Sequence, residues 1–123
     1  MKIEVSNGEI IDKLTILEIK LMHIDDQEKI LNIKKEYTAL LPIAKEIINI
    51  DHDLVNDLRA VNMRLWKIED AIRQKEKDAD FGDDFIELAR SVYKNNDARA
   101  RLKMEINDLT GSGLREEKSY KSY

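Results

Sequence analysis

Acidic side chains form two groups in the last third of the sequence, and carboxylates are residues that can hold magnesium ions. The members of the two groups are Asp83, Asp84, Glu87, Glu105 and Asp108. Carboxylates from two helices can hold Mg²⁺ against a diphosphate, which would suit the hydrolysis of a nucleotide. On one unbroken helix, however, Glu87 and Glu105 would stand about 27 Å apart. They can serve one metal only if the helix breaks near Asn95–Asn96 or if a symmetry-related copy brings them together.

The acidic pattern is similar to the paired motifs of the all-α, magnesium-dependent nucleotide pyrophosphohydrolases. Asp83 and Asp84 stand where that class has two glutamates. Acidic residues are also common at the start of a helix, where they cap backbone N–H groups and complement the helix dipole. We interpret Asp83 and Asp84 as residues of a helix start and predict no catalytic residue and no cofactor. The magnesium-dependent phosphohydrolase is the alternative function.

Two polar residues, Asn95 and Arg99, occupy successive inward positions of the last predicted helix. The other inward positions share one heptad register and are apolar: Phe85, Leu88, Val92, Leu102, Ile106 and Leu109. A guanidinium cannot remain unpaired at such a position, because burying an unpaired charge costs several kcal/mol. We therefore predict a carboxylate partner for Arg99. Glu69 is the first choice from the third helix, and Glu18 is the first choice from the first helix.

This polar pair has two interpretations, of which the sequence favours the structural one. A polar pair at an inward position fixes the alignment and oligomeric state of helices at some cost in stability. Alternatively, an antiparallel hairpin about Phe81 would bring polar residues together in a small pocket that holds an anion. The lining residues of that pocket would be Trp66, Glu69, Arg73, Asn95, Asn96 and Arg99.

The single tryptophan and the two histidines have plainer interpretations than ligand binding. Trp66 lies at the edge of an apolar stripe, where tryptophan more often anchors a core or an interface. His23 and His52 fall in predicted joints and lack the Glu-x-x-His spacing of a di-metal site. We expect both histidines to be solvated or to cap helices.

Apolar residues at helical spacing must position these side chains, and the first helical segment is the most apolar. It follows Ser6-Asn7-Gly8-Glu9, a capping-box sequence in which Ser6 accepts from the backbone of Glu9 and the Glu9 side chain reaches back. Residues 10–24 are apolar on nearly every side, which indicates burial on more than one face. The stripe loses its phase at residues 23–27. This predicts either a turn or a register stutter within a continuous helix.

The later segments contain residues that interrupt helices. Pro42 should kink or restart the second segment, because it removes a hydrogen bond and clashes with the preceding turn. The third segment is expected to run to about Ala79. The sequence Phe81-Gly82-Asp83-Asp84 then breaks it, with glycine as the helix stop and aspartate as the next N-cap. Gly111-Ser112-Gly113 ends the last segment.

Composition agrees with this pattern and predicts an all-α fold. The 123 residues include only 4 glycines and 1 proline, fewer than a turn-rich β fold requires. We predict one domain over residues 1–123, an elongated antiparallel bundle of three to four long helices in coiled-coil-like hairpins. Residues 1–5 would be an extended lead-in, and residues 112–123 would be a loose polar tail.

Charge and hydropathy narrow the expected partners and location. The net charge is −4 and both signs are scattered, so we expect no nucleic-acid binding, which normally needs a concentrated basic face. Without cysteine, an apolar leader or a membrane-length apolar run, the expected location is the cytoplasm. A first helix that is apolar nearly all round, in so short a chain with helices about 40 Å long, predicts a homo-oligomer, most simply a dimer.

Several co-linear motifs resemble a family of short bacterial proteins classed as a domain of unknown function. The motifs are VSNGEIIDKLTILEIK, LWKIEDAIR, FIELARSVYKNNDARARLKMEINDLTGS and EEKSY, and together they span nearly the whole chain. The resemblance implies a bacterial or phage origin and a loose association with cell-surface sugar assembly, but no activity. We therefore predict a non-enzymatic, self-associating helical module that binds or organises another protein.

Overall fold

The computed structural model describes residues 1–122, which form four α-helices joined by short turns. The helices are α1 (Asn7–His23), α2 (Gln27–Ile47), α3 (Asp53–Lys77) and α4 (Asp83–Thr110). No strand occurs among these residues, so the predicted all-α helical bundle is confirmed. Residues 1–6 and 111–122 have no regular secondary structure.

α1 begins at the predicted cap, although only half of the capping box forms. The Glu9 backbone N–H donates to Ser6 Oγ at 3.2 Å. The Glu9 carboxylate does not return to the cap, because it accepts a hydrogen bond from Lys103 of α4 at 2.6 Å. A lysine ammonium is a stronger donor to a carboxylate than a neutral backbone N–H, so the tertiary contact replaces the local one.

The loss of phase at residues 23–27 is a turn. α1 ends at His23, and α2 begins with Asp26 as its N-cap, whose carboxylate accepts from the Lys29 N–H at 3.0 Å. Directly after this turn, α2 folds back and packs against α1. The continuous-helix alternative is therefore wrong.

Pro42 lies inside α2, and the expectation that it would restart the helix is wrong. The helix continues from Gln27 to Ile47 without a break. Both Pro42 and Thr38, whose carbonyl loses its helical partner, are exposed. Water can satisfy that carbonyl, so the proline costs less than it would on a buried face.

The turn between α3 and α4 differs from the sequence prediction in its details. α3 ends at Lys77, and Ala79 adopts the left-handed conformation, with φ of 52°, that glycine was expected to supply. Gly82 is the N-cap of α4 and has no capping side chain. Asp83 and Asp84 are thus the first two helical residues, where they complement the helix dipole without acting as the N-cap.

α1 lies at the centre of the bundle and packs against each of the other three helices. Its buried residues point to several sides: Gly8, Ile11, Asp12, Leu14, Thr15, Leu17 and Ile19. The predicted burial of this helix on more than one face is confirmed. The main apolar core surrounds α1 and consists of Ile11, Leu14, Ala44, Ile48, Val55, Leu58 and Ile106.

α3 and α4 form an antiparallel hairpin that is longer than α1. The last α1 residue, His23, lies against Trp66 of α3, with ring centroids 5.2 Å apart. α3 continues from there to Lys77, which extends the hairpin about 16 Å beyond α1. We call residues 67–92 the outer hairpin, because α3 enters this segment directly after Trp66, the residue that contacts the end of α1.

None of the helices within residues 1–122 combines the length and apolar character needed to cross a membrane.

Gly8 allows α1 to approach α4 closely, which gives the first prediction. A Cβ at this position would lie well inside van der Waals contact with the backbone oxygen of Lys103. Gly8→Ala should therefore force α1 away from α4 and lower the free energy of unfolding by about 1–3 kcal/mol. Urea denaturation measures this change.

Gly113→Ala is the matched control, because a Cβ there would meet nothing within 4 Å. It should change the free energy of unfolding by less than about 0.5 kcal/mol. Equal losses for the two variants would contradict the close approach of α1 to α4.

Candidate functional site

A buried aspartate and an arginine join α1 to α4 inside the bundle. The side chain of Asp12 is 1% exposed. Its carboxylate accepts hydrogen bonds from Arg99 Nε at 2.9 Å and from Arg99 Nη2 at 2.5 Å, a two-point contact between planar groups. This carboxylate raises the pKa of Arg99, against the opposing effect of burial. The Arg99 guanidinium is therefore held in its protonated form beside this carboxylate.

Two uncharged residues complete the arrangement around Asp12. Asn62 of α3, which is 5% exposed, donates its amide hydrogens to Asp12 Oδ1 and to Thr15 Oγ1, each at 2.9 Å. The Thr15 hydroxyl donates to the backbone carbonyl of Asp12 at 2.8 Å. We call Asp12, Thr15, Asn62 and Arg99 the polar layer. It ties three helices together through one carboxylate.

The prediction that Arg99 needs a carboxylate partner is confirmed, but both first choices were wrong. Glu69 lies 3.6 Å from Arg73 in an exposed pair, and Glu18 accepts from Arg59 at 2.8 and 3.2 Å. Asp12 was missed because the heptad pattern assigns only one inward face to a helix. A signal was present, since Asp12 is the one acidic residue between Ser6-Asn7-Gly8-Glu9 and Glu18 in a helix that is apolar nearly all round.

A cleft of about 580 Å³ opens beside the polar layer, between α1, α3 and α4. We call it the Trp66 cleft. Its apolar walls are Ile16, Ile19, Leu65, Trp66 and Val92. Its polar lining is Asn62, Glu69, Asp70, Arg73, Asn96 and Arg99.

Most of the pocket residues proposed from the sequence meet in this cleft. The five that line it are Trp66, Glu69, Arg73, Asn96 and Arg99. Asn95 does not line it, because its side chain accepts from Arg64 Nε at 3.1 Å and donates to the Ser91 carbonyl at 2.8 Å. Adjacent residues of a helix point about 100° apart, so Asn96 and Asn95 face different surroundings.

The histidines take the positions expected for capping and exposed residues. His52 is the N-cap of α3, and its Nδ1 accepts from the Leu54 N–H at 3.0 Å. His23 is exposed at the end of α1, bonds through Nδ1 to the Ile19 carbonyl and lies against the ring of Trp66. His23 thus borders the Trp66 cleft.

A second set of polar contacts holds the start of α1 against the end of α4. The Asn7 N–H donates to Ser112 Oγ at 3.0 Å, and the Gly8 N–H donates to Asn107 Oδ1 at 2.6 Å. Backbone N–H groups at a helix start lack helical partners and must be satisfied elsewhere. The sequence predicted only the local cap, because residues about 100 positions away supply these acceptors.

The two acidic groups remain apart within one chain. α4 is unbroken through Asn95–Asn96, so Glu87 and Glu105 stay about 27 Å apart along it. No group of three or more metal-binding side chains occurs among residues 1–122. Asp108 instead contacts Arg115, and Asp84 lies 3.8 Å from Lys75.

The structure thus defines an all-α bundle protein whose central helix is held by a buried carboxylate–guanidinium pair beside an open cleft. The sequence pattern of DUF6165, a family of unknown function, matches residues 1–123, and the chain belongs to this family. The resemblance found in the sequence motifs is therefore confirmed. No curated protein and no solved structure matches the chain.

The polar layer gives the second prediction, on coupling between Asp12 and Arg99. Asp12→Asn leaves Arg99 without a counter-charge, and Arg99→Gln leaves a buried carboxylate with only Asn62 as a side-chain donor. Each substitution should lower the free energy of unfolding by about 2–4 kcal/mol. The double variant should lose less than the sum, because it leaves no uncompensated charge.

Glu69→Gln is the control for these variants, because the ion pair of Glu69 with Arg73 is exposed and its two atoms lie 3.6 Å apart. It should change stability by less than about 0.5 kcal/mol. Strictly additive losses for Asp12→Asn and Arg99→Gln in urea denaturation would show that the two residues are not coupled.

The third prediction concerns acid and the Glu9–Lys103 contact. The hydrogen bond from Lys103 lowers the pKa of Glu9 below its usual 4.5, although partial burial opposes the shift. Ionised Glu9 therefore contributes stability that is present above pH 4.5 and is lost as the pH falls through the lowered pKa. Glu9→Gln should lose less stability than the native chain on acidification from about pH 7 to about pH 3.

Exposed Glu4 provides the control substitution. Glu4→Gln should follow the native pH profile of the free energy of unfolding. If the native chain and Glu9→Gln lose equal stability on acidification, the contact with Lys103 does not stabilise the fold.

Proposed function

We propose that the chain is a non-enzymatic helical interaction module that associates with a second copy of itself through the outer hairpin. The observation that carries the proposal is the incomplete burial of the inward-facing residues of this segment. Association with a further protein would use the same surface. The bacterial origin, the cytoplasmic location and the link to cell-surface sugar assembly stay predictions.

Burial differs sharply between the two halves of the α3–α4 hairpin. Where α1 covers it, Leu58 and Ile106 are fully buried and Val61 is 3% exposed. In the outer hairpin, Ile72 and Leu88 hold equivalent inward positions but are only partly buried. Two helices alone cannot enclose an apolar seam, and a third or fourth helix from another chain would complete it.

The surface of the outer hairpin also carries apolar side chains. Phe81 is 52% exposed and Ile86 is 53% exposed. Phe81 packs edge-on against Phe85 of α4, with ring centroids 5.2 Å apart, and Ile86 presents a second exposed apolar side chain one residue further along the helix. Exposed apolar surface of this kind commonly marks sites of association.

Charge in this segment favours a second copy as the occupant. The last turn of α3 carries Lys75 and Lys77, whereas the first turn of α4 carries Asp83 and Asp84. A two-fold axis across the outer hairpin would place α3 of one copy beside α4 of the other, with opposite charges facing. The pairing would bury the apolar seam of both copies at once.

The magnesium-dependent phosphohydrolase receives less support. Its two acidic groups lie at opposite ends of α4, and Glu87 and Asp108 each have a basic neighbour within their own chain. A metal site would require a partner copy arranged to bring both ends of α4 together. The outer-hairpin arrangement proposed above does not do so.

The fourth prediction is that light scattering of the native chain gives the mass of a dimer at protein concentrations of tens of micromolar. Ile86→Glu should weaken the dimer by roughly tenfold or more, because it buries an unpaired charge in the interface. The fold of one chain should persist, since Ile86 is 53% exposed.

Leu31→Glu is the matched control, because Leu31 is 69% exposed on α2, away from the outer hairpin. It should leave the mass unchanged. A monomer mass for the native chain at tens of micromolar would refute the proposal. Dissociation by Leu31→Glu alone would move the interface to α2.

A further inference from the structure

The polar layer leaves two hydrogen-bonding groups without partners, and both belong to residues that line the Trp66 cleft. Asp12 engages Nε and Nη2 of Arg99, so Nη1 has no partner among residues 1–122. Asn62 gives both amide hydrogens to Asp12 and Thr15, and its Oδ1 accepts none. Every fully buried polar side-chain atom of the described chain has a partner. The Oδ1 atom of this otherwise 95% buried asparagine therefore opens into the cleft.

Asn62 Nδ2 and Arg99 Nε both donate to the same atom, Asp12 Oδ1, so the two side chains that carry the free groups are neighbours. Together they present one acceptor and one donor to a ligand. A hydroxyl group can donate to Asn62 Oδ1 and accept from Arg99 Nη1 at the same time. An ionised carboxylate carries no hydrogen to donate, so it would leave Asn62 Oδ1 unsatisfied and repelled.

The charges around the cleft also disfavour an anionic ligand. Asp12 neutralises Arg99, and Glu69 lies beside Arg73. Asp70 then remains as an additional acidic residue in the lining. No positive charge is left over for an anion, which argues against the anion-holding pocket considered from the sequence.

The remaining walls suit the face of a ring. Trp66 and Leu65 of α3 and Ile19 of α1 all line the cleft. A volume of about 580 Å³ holds a small molecule, and such pockets usually combine apolar walls with a few polar groups that fix orientation. An aromatic side chain can pack against the face of a sugar or a base while the polar groups bind its edge.

We propose that the Trp66 cleft binds an uncharged hydroxylated ring, the chemistry that monosaccharides and nucleosides share. A ring hydroxyl bridges Asn62 Oδ1 and Arg99 Nη1, and the ring face packs on Trp66. The site lies within one chain, and four of its lining residues also belong to the outer hairpin: Glu69, Asp70, Arg73 and Val92.

The single tryptophan provides a direct measurement, because Trp66 lines the cleft. The native chain is titrated with D-glucose, with adenosine and with inorganic phosphate while its tryptophan fluorescence is recorded. We expect a saturable change with glucose or adenosine and none with phosphate. A response to glucose alone identifies a sugar, a response to adenosine alone identifies a nucleoside, and each supports the proposal.

Two matched pairs of variants test the residues. Arg99→Lys keeps the charge beside Asp12 but removes Nη1, so the Kd of the responding probe should rise roughly tenfold. Arg101→Lys, at an exposed position two residues further along α4, should leave the Kd within about twofold. Asn96→Ala, which alters the cleft lining, should likewise weaken binding, whereas Asn95→Ala should not.

Three results would overturn the proposal: no saturable response to glucose or adenosine at tens of millimolar, saturable binding of phosphate, or equal Kd changes for a test variant and its control. Thermal unfolding of each variant shows whether it has folded, and the Asn96 and Asn95 pair still decides the question if Arg99→Lys does not fold. Light scattering of the same samples reports self-association separately, so failure of one proposal is distinguishable from failure of the other.

Discussion

The carboxylate of Asp12 is almost entirely removed from water, and an ionised group in that position must find its counter-charge and hydrogen bonds within the fold. Arg99 supplies the charge and two donors from α4, and Asn62 supplies a further donor from α3. The directions of these bonds leave α1 little freedom. A rotation of α1 by one residue, about 100°, would move Asp12 away from both partners and bury an unpaired charge. The polar layer therefore fixes how α1 sits against the hairpin, which apolar packing alone specifies less strictly.

Polar contacts between α1 and α4 continue from the polar layer to the start of α1. Glu9 binds Lys103, and Gly8 binds Asn107. Earlier positions in α1 therefore lie opposite later positions in α4, as in any antiparallel helix pair. This antiparallel seam is polar, whereas the contact of α1 with α2 is built from apolar residues of the main core. The small side chain of Gly8 and the buried donors at the helix start make the polar seam a close one. Directional polar contacts therefore hold α1 against α4, whereas the hydrophobic effect holds α1 against α2.

The sequence predicted the features that depend on local chemistry. Apolar spacing predicted three to four helices, of which four form, and the cap at Ser6 and the stop at Gly111 depend on residue type within a few positions. Features set by distant neighbours were missed. A heptad pattern has one inward face, so it could not assign Asp12 to the interior of a helix with three neighbours. Five of the six proposed pocket residues meet in the cleft, because an antiparallel hairpin fixes which turns of α3 and α4 lie opposite each other. The hairpin does not fix the direction of each side chain, so Asn95 was wrongly placed in the cleft.

The structural and binding interpretations of the polar layer do not compete for the same atoms. Alignment of the helices uses Nε and Nη2 of Arg99 and Nδ2 of Asn62, and the groups that it leaves free are Nη1 of Arg99 and Oδ1 of Asn62. If the polar layer served only to align the helices, hydrogen bonds within the bundle to Arg99 Nη1 and Asn62 Oδ1 would stabilise the fold further. Because the fold already immobilises both side chains through Asp12, a ligand that meets them need not restrict their rotamers again. The buried carboxylate that sets the position of α1 therefore also orders Arg99 and Asn62, two residues that line the Trp66 cleft.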